Sequence, residues 1–407
     1  MKLVVVGAQW GDEGKGKIVD YLAENADLVV RYSGGANAGH TVVMGGTTYK
    51  LHLIPSGVVY PDKEVVLGSG MVIDPESLFE ELQTLTEQGI DWEGRVHISD
   101  RAHLVLPGYK EEDKQKDAER RNPIGTTGRG IGVAYAKKAE RDAVRLADLN
   151  DDEFLKSLRP GEYEFLQNYI PRLRDMSVNL AAFMEEYRDK RVLYEGAQGV
   201  LLDIDLGSYP FVSSGCSAAA GACTGGAIGP REIDGVLGVF KAYTTRVGNG
   251  PFPSEFTEER DGNLGDTIRD LGNEYGVTTG RPRRCGYLDL VALRYACRTN
   301  SIDNLVLTHL DVYDTFDELQ VCTAYEIDGK ETSEFPSSPI KLKRARPVLR
   351  SFRGWKQDIT AARSYEELPQ AAKDYVAFIE EYTGSRVGIV SVGADRSQTF
   401  IRSRVWE

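Results

Sequence analysis

The 407-residue sequence predicts an α/β fold with a mostly parallel central sheet flanked by helices. Three observations carry that expectation. Four short apolar runs, Leu3–Val6, Val192–Tyr194, Asn304–Leu307 and Val387–Val390, read as strands buried on both faces. Each run is followed at once by Gly, Ser, Thr, Asp or Gln, in "GAQWGDEG", "EGAQG", "THLD" and "SVGAD". In open parallel sheets, ligands sit outside the carboxyl ends of the strands, where such loops gather. Lastly, apolar residues recur at helical spacing over Lys15–Glu24, Pro75–Gln88, Ile170–Tyr187 and Pro369–Tyr382.

A further apolar run, Ala26–Val30, leads into "RYSGGANAGHT", and the Gly/Ala/Ser-rich stretch Ser213–Gly229 predicts a mobile loop. No internal repeat or Pro/Ser-rich linker divides the chain, and strands come from both ends of it. One interwoven α/β domain over residues 1–407 is expected. Hydrophobic residues make up 41% and charged residues 27%, an ordinary globular balance. The net charge of −13 argues against broad nucleic-acid or anionic-membrane binding but leaves room for a local basic pocket. Within "KLKRARPVLRSFR" (Lys341–Arg353), a solvated surface segment is the plainer reading than a nucleic-acid patch. The five cysteines form no CxxC pair and no metal spacing. With no leader-like or bilayer-length apolar run, a reduced, cytoplasmic protein is expected.

Four loops carry the chemistry. In "GDEGKGK" (Gly11–Lys17), a strand, a glycine-rich turn and an amphipathic helix follow one another, the context that a phosphate loop requires. Glycines let backbone N–H groups approach phosphate oxygens, and lysines neutralise the charge. A plain solvated turn is the alternative. Ile18 stands where a phosphate loop normally has a magnesium-binding hydroxyl, whereas Asp12 offers a hard oxygen ligand. The fold is therefore expected to be P-loop NTPase-like with a modified phosphate loop. In "SGGANAGHT" (Ser33–Thr41), glycines around Asn37 and His40 make poor core and a good ligand loop, though a lone histidine is often structural. "THLD" (Thr308–Asp311) is similar to the guanine-specificity loop of GTPases, in which an Asp carboxylate accepts from guanine N1–H and its 2-amino group. Here His309 replaces the usual lysine, and Ser391-Val392-Gly393 at another strand end could add backbone donors. Finally, "VTTGRPRRCG" (Val277–Gly286) sets Arg281, Arg283 and Arg284 beside threonines, a receptor for carboxylate or phosphate.

Together these loops resemble the adenylosuccinate synthetases. "QWGDEGKGKIVD", "GGANAGHT", "IPSG", "TTGRGIG", "EGAQGVLLDIDLGSYPFV", "KAYTTRVGNGPFPSE", "TTGRPRRCGYLD", "THLDV" and "SVGADR" occur in the family's order and span essentially the whole chain. The resemblance implies a GTP- and Mg²⁺-dependent ligase that joins IMP to L-aspartate through 6-phosphoryl-IMP, giving adenylosuccinate, GDP and phosphate. It implies Asp12 as the base at N1, His40 as the acid near O6, and Lys15 and Gln198 as further catalytic residues. One Mg²⁺ per subunit would be held by Asp12 and the Gly39 carbonyl.

The resemblance also places GTP against Gly11, Asp12, Glu13, Gly14, Lys15, Gly16, Lys17, Gly39, His40, Thr41, Arg283, His309, Leu310, Asp311, Ser391, Val392 and Gly393. IMP would meet Asp12, Glu13, Gly14, Lys15, Asn37, Ala38, Gly39, His40, Thr127, Gln198, Ser213 and Arg281, and Arg141 would reach it across a homodimer interface. Val277, Thr278, Thr279, Gly280, Arg281, Pro282 and Arg283 match the aspartate loop. Five departures from the family's usual pattern stand out: Ala36 for His or Asn, "VAYAKKAER" before Asp142, Ser213 for Thr, the "SGCSAAAGACTGG" that follows it, and His309 for Lys.

Two other readings differ in chemistry. A phage-type relative acting on dGMP would be expected to carry a smaller residue at Asp12. A nucleotide-dependent switch would need no "TTGRPRR" or "EGAQG" segment.

Overall fold

The structure, a computed structural model, describes residues 1–44, 46–276, 280, 282–403 and 405–406. Its main sheet runs, edge to edge, Thr399–Ile401, Arg386–Ser391, Asn304–Thr308, Gly235–Lys241, Lys2–Gly7, Val192–Gly199, Leu28–Gly34, Glu64–Ile73, Val96–Ser99 and Ser177–Val178, with His103–Leu104 paired beside Glu64–Ile73. Every pairing in it is parallel except that of the edge strand Thr399–Ile401. The expected α/β class is what the chain adopts, and all four apolar runs are strands. Alternation splits their side chains: Val4 and Val6 enter one core, Leu3 and Val5 the other. Both faces are thus dry, which is why these strands read as unbroken apolar runs.

Topology locates the ligand crevice. From Lys2–Gly7 the chain passes through the helix Lys15–Ala23 and lays Leu28–Gly34 and Glu64–Ile73 on one side. The later strands Gly235–Lys241, Asn304–Thr308 and Arg386–Ser391 fill the other side. The order therefore reverses at the first strand, and a crevice opens beyond its carboxyl end.

Two expectations need correction. The helix foreseen over Ile170–Tyr187 is broken into Ile170–Met176 and Leu180–Glu185, with Ser177–Val178 pairing to Val96–Ser99 between them. Asn179 starts the second helix by accepting from the Ala182 amide at 3.3 Å. Ser213–Gly229 is not all loop: Gly221–Gly225 is a short helix, and Ala218, Ala219 and Ala222 are buried. Its small residues permit close packing, since a Cβ at Gly221 would meet the Tyr32 ring at 2.9 Å. Lys341–Arg353 forms the helix Pro339–Arg344 and the strand Arg346–Arg353, antiparallel to Glu318–Ile327. Arg344 pairs there with Asp328 at 3.2 Å.

Candidate active site

The phosphate loop is held open by left-handed residues: Gly11, Asp12 and Gly14 have φ of 94°, 60° and 87°. No side chain caps the helix at Lys15, so its first amides remain available to an anion. Glu13 turns inward instead. Its Oε1 accepts from the amides of Gln9 and Gly11 at 3.2 and 2.8 Å, and its Oε2 pairs with Lys15 at 2.7 Å. Neighbouring strands fix the loop from outside. Thr308 Oγ1 donates to the Glu13 carbonyl at 2.8 Å, and Gln9 Oε1 accepts from the Lys241 amide at 3.1 Å.

Lys17 reaches past the loop to Ser391 Oγ and the Gly393 carbonyl, both at 2.7 Å. Burial lowers its pKa to about 8, against the opposing pull of Asp311 and Asp395. The same helix thus meets the expected guanine loops. There, burial pushes the Asp311 carboxyl up while Lys17 counters it. Next to it His309 adopts φ 57° and lies 3.4 Å from the Tyr243 hydroxyl through Nδ1. Burial and the charge of Lys241 hold its imidazole neutral, down to about 3.

His40 begins a strand, His40–Met44, that packs against the phosphate helix. Gly16 makes this possible, because a Cβ there would lie 2.7 Å from His40 Cβ. The imidazole Nε2 is 3.2 Å from Glu195 Oε1 but lacks a hydrogen bond's alignment. Burial, then the charges of Arg31, Lys15 and His52, keep His40 well below the usual histidine range. Glu195 is itself buried, which raises its pKa, and it accepts from the Ser56 amide at 2.9 Å. Asn37 follows the strand Leu28–Gly34, and Gln198 is the next-to-last residue of its neighbour Val192–Gly199, where it adopts φ 55°. Among the described residues, Asn37 Oδ1, His40 Nε2 and Gln198 Nε2 are buried with no hydrogen-bond partner in the protein. Each such atom costs about 1–3 kcal/mol when left so, a cost that a bound ligand offering hydrogen bonds would remove.

Asp12 faces the arginine loop. Arg283 Nε is 2.9 Å from Asp12 Oδ2, and its NH1 is 2.9 Å from Glu274 Oε2. Burial pushes the Glu274 carboxyl up, but Lys241, His309 and the hydrogen bonds of Lys241 and Tyr243 outweigh it and hold it at about 2. Of the expected aspartate loop, Gly280 and Pro282 are exposed, while Val277, Thr278, Thr279 and Arg281 lie outside the described residues. Thr127 is exposed at the tip of a loop whose amides at Ile124, Gly125 and Thr126 donate to Asp117. Ser213 is half-buried, its amide donating to the Leu202 carbonyl at 2.8 Å. Arg141 is exposed, a left-handed residue closing the helix Ile131–Glu140.

The phosphate loop, the loops expected to meet guanine and the arginine loop therefore converge with His40 and Gln198 on one crevice. Sequence reasoning did not single out Glu195, Glu274, Arg31 or Tyr243. A charged residue inside the apolar run "VLYEG" was the available signal for Glu195; nothing local marks Glu274.

A family model for adenylosuccinate synthetase matches residues 4–160 and 160–400. The chain is 48% identical over 423 residues to the adenylosuccinate synthetase of Clostridium novyi, covering 98% of each. It is 47% identical to that of Salinibacter ruber, covering 97% of each. Among solved structures it is similar to the fully ligated adenylosuccinate synthetase of Plasmodium falciparum, with a TM-score of 0.91 and 37% identity over 98% of this chain and 99% of that one. A cyanophage S-2L succinoaminodeoxyadenylate synthetase bound to dGMP and dATP shares the fold, with a TM-score of 0.65 and 22% identity over 98% of this chain and 95% of that one.

Proposed function

The chain belongs to the adenylosuccinate synthetase family, and from that premise we propose how its residues divide the work. It is a GTP-dependent ligase of purine biosynthesis, joining IMP and L-aspartate to give adenylosuccinate, GDP and phosphate. Asp12 takes the N1 proton of IMP, so negative charge builds on O6 and attacks the γ-phosphorus of GTP. The aspartate amine then displaces phosphate from C6 of 6-phosphoryl-IMP. A poor leaving group is thereby exchanged for a good one. The observation that carries this reading is the contact between Asp12 and Arg283, which joins the base for the first step to a carboxylate receptor for the second.

His40, kept neutral by its surroundings, acts near O6 as an N–H donor rather than as an imidazolium. Gln198 and Asn37 offer unpartnered polar atoms to IMP. Lys15 and the free helix amides receive phosphate, and Asp311, Ser391 and Gly393 receive the base. Arg283 must leave Asp12 for the aspartate carboxylate. Opening that contact also frees Asp12 for the N1 proton of IMP.

Mg²⁺ fits this donor set. Among the described residues no group of three or more His, Cys, Asp or Glu is built to hold a metal, and a magnesium ion bound through one carboxylate plus substrate phosphates needs none. Asp12 and the Gly39 carbonyl would hold it. When bound, it supplies charge neutralisation for the transferring phosphoryl group.

The whole chain is read as one α/β domain, since its main sheet takes strands from residues 2–7 and 386–401 alike. A homodimer is proposed because Arg141 projects from an exposed helix end, where a neighbouring subunit could receive it. No helix among the described residues is long and apolar enough to cross a membrane, and the five cysteines are free. A reducing cytoplasm suits that state.

The test is direct. Purified enzyme with IMP, L-aspartate and GTP should form adenylosuccinate, with ATP and dGMP run as substitutes. GTP hydrolysis indifferent to IMP and aspartate, or preference for dGMP, contradicts the reading. Sedimentation checks the dimer.

A further inference from the structure

Glu274 is wholly buried just before the aspartate loop, and its two carboxylate oxygens serve different neighbours. Oε2 accepts from Arg283 at 2.9 Å, while Oε1 accepts from Lys241 Nζ and from the Tyr243 hydroxyl, each at 2.5 Å. Because the Tyr243 proton is committed to Glu274, the phenol oxygen is left to accept from His309 Nδ1, 3.4 Å away. That contact selects the Nδ1–H tautomer and leaves Nε2 bare. The rings of Tyr243 and His309 meet edge to face with centroids 5.8 Å apart.

The chain of contacts His309–Tyr243–Glu274–Arg283 begins at the guanine loop and ends at the aspartate loop. We propose that Tyr243 and Glu274 are positioning residues that couple the two pockets, so that a nucleotide base seated against His309 sets Arg283 for the aspartate carboxylate, and the reverse. The proposal rests on the placement of GTP and aspartate given above. Coupling between binding sites is reciprocal, and a contiguous hydrogen-bonded network with two seated ends is a physical means of carrying it.

Histidine is suited to this link. Its ring lies among the positive charges of Lys241, Lys17 and Arg283, with Glu274 as the opposing charge. A lysine at 309 would add a further cation to that group, whereas a neutral imidazole adds none. An imidazole also fixes its donor in a plane, and a lysine's flexible stem does not.

The experiment is a double-mutant cycle on the full-length enzyme: wild type, Tyr243→Phe, His309→Lys and the double variant. KM for GTP, IMP and aspartate and kcat are measured for each, with thermal melts to confirm folding. Tyr243→Phe removes one hydroxyl and should raise KM for both GTP and aspartate about three- to tenfold. KM for IMP should stay within about twofold. In the His309→Lys background the same change should leave KM for GTP within about twofold, because the link is already cut. Additive effects around the cycle, or a Tyr243→Phe effect on one substrate alone, overturn the coupling. If neither single variant moves KM for GTP or aspartate, the placement of the two substrates fails as well, which separates that failure from the first. Glu274→Gln keeps the shape and serves as a second arm: a raised KM for GTP, at a site remote from the base, supports the relay, and an unchanged one overturns it.

Discussion

At the end of the crevice proposed for the purine, Asn37 Oδ1, His40 Nε2 and Gln198 Nε2 are buried without protein partners. At the end proposed for GTP and aspartate, Arg283, Glu274, Lys241, Tyr243 and His309 bond to one another, and Arg283 also holds Asp12. A ligand arriving at the first end forms hydrogen bonds where none existed. At the second it must replace contacts already made. The first arrangement favours affinity and lowers the stability of the unliganded fold, while the second favours order and orientation.

Breaking the contrast at its junction should have the largest effect. Asp12→Asn keeps the shape but not the basicity, and kcat should fall by about 10²–10⁴-fold while the thermal midpoint moves little. An active Asn variant in steady-state assays removes Asp12 from the role of base.

Next comes the self-paired end. Glu274→Ala leaves Lys241 and Arg283 without their buried carboxylate, and removing one member of such a pair costs about 3–5 kcal/mol. Urea denaturation measures it. A loss below about 1 kcal/mol means that this network is not holding the loop.

The unpartnered end should respond in the opposite sense. Gln198→Leu removes a buried polar group with no protein partner, so unfolding free energy should be unchanged or rise by about 1 kcal/mol. The same variant should lose IMP affinity by at least about tenfold, read by titration calorimetry. Destabilisation beyond about 1 kcal/mol breaks the comparison.

The smallest effect is a pH dependence. Lys17 has a pKa lowered to about 8, so it loses its charge as pH rises through that value. KM for GTP should therefore be flat below about pH 7, double by about pH 8 and rise about tenfold by about pH 9. Lys17→Arg, charged throughout, should flatten the rise.

Much of this was legible in the residues. The four apolar runs and their polar followers located the sheet and its ligand edge, because burial on both faces leaves a continuous hydrophobic signature. Gly235–Lys241, next to the first strand, was harder to see: Gly238 interrupts the run, since a Cβ there would meet Ile302 at 2.6 Å. The break at Ser177–Val178 was hidden by apolar residues that continue at helical spacing on both sides, while pairing to Val96–Ser99 is a tertiary fact. Chemistry written into local motifs, as in Gly11–Lys17, could be read directly. Relations between distant segments could not. The pairing of Asp12 with Arg283 spans most of the chain, and Glu274 has no local pattern at all.

Thr308 on Glu13, and Lys17 on Ser391 and Gly393, stitch the first phosphate-binding turn to strands made very late in synthesis. On the ribosome, then, the first thirty or so residues are translated long before the elements that brace them exist. A nascent chain stopped before the Arg386–Ser391 strand would hold Asp12, His40, Gln198 and Arg283, yet leave Asn304–Thr308 as an unpaired edge. Partial chains should thus attract chaperones or associate through that edge rather than display partial catalysis.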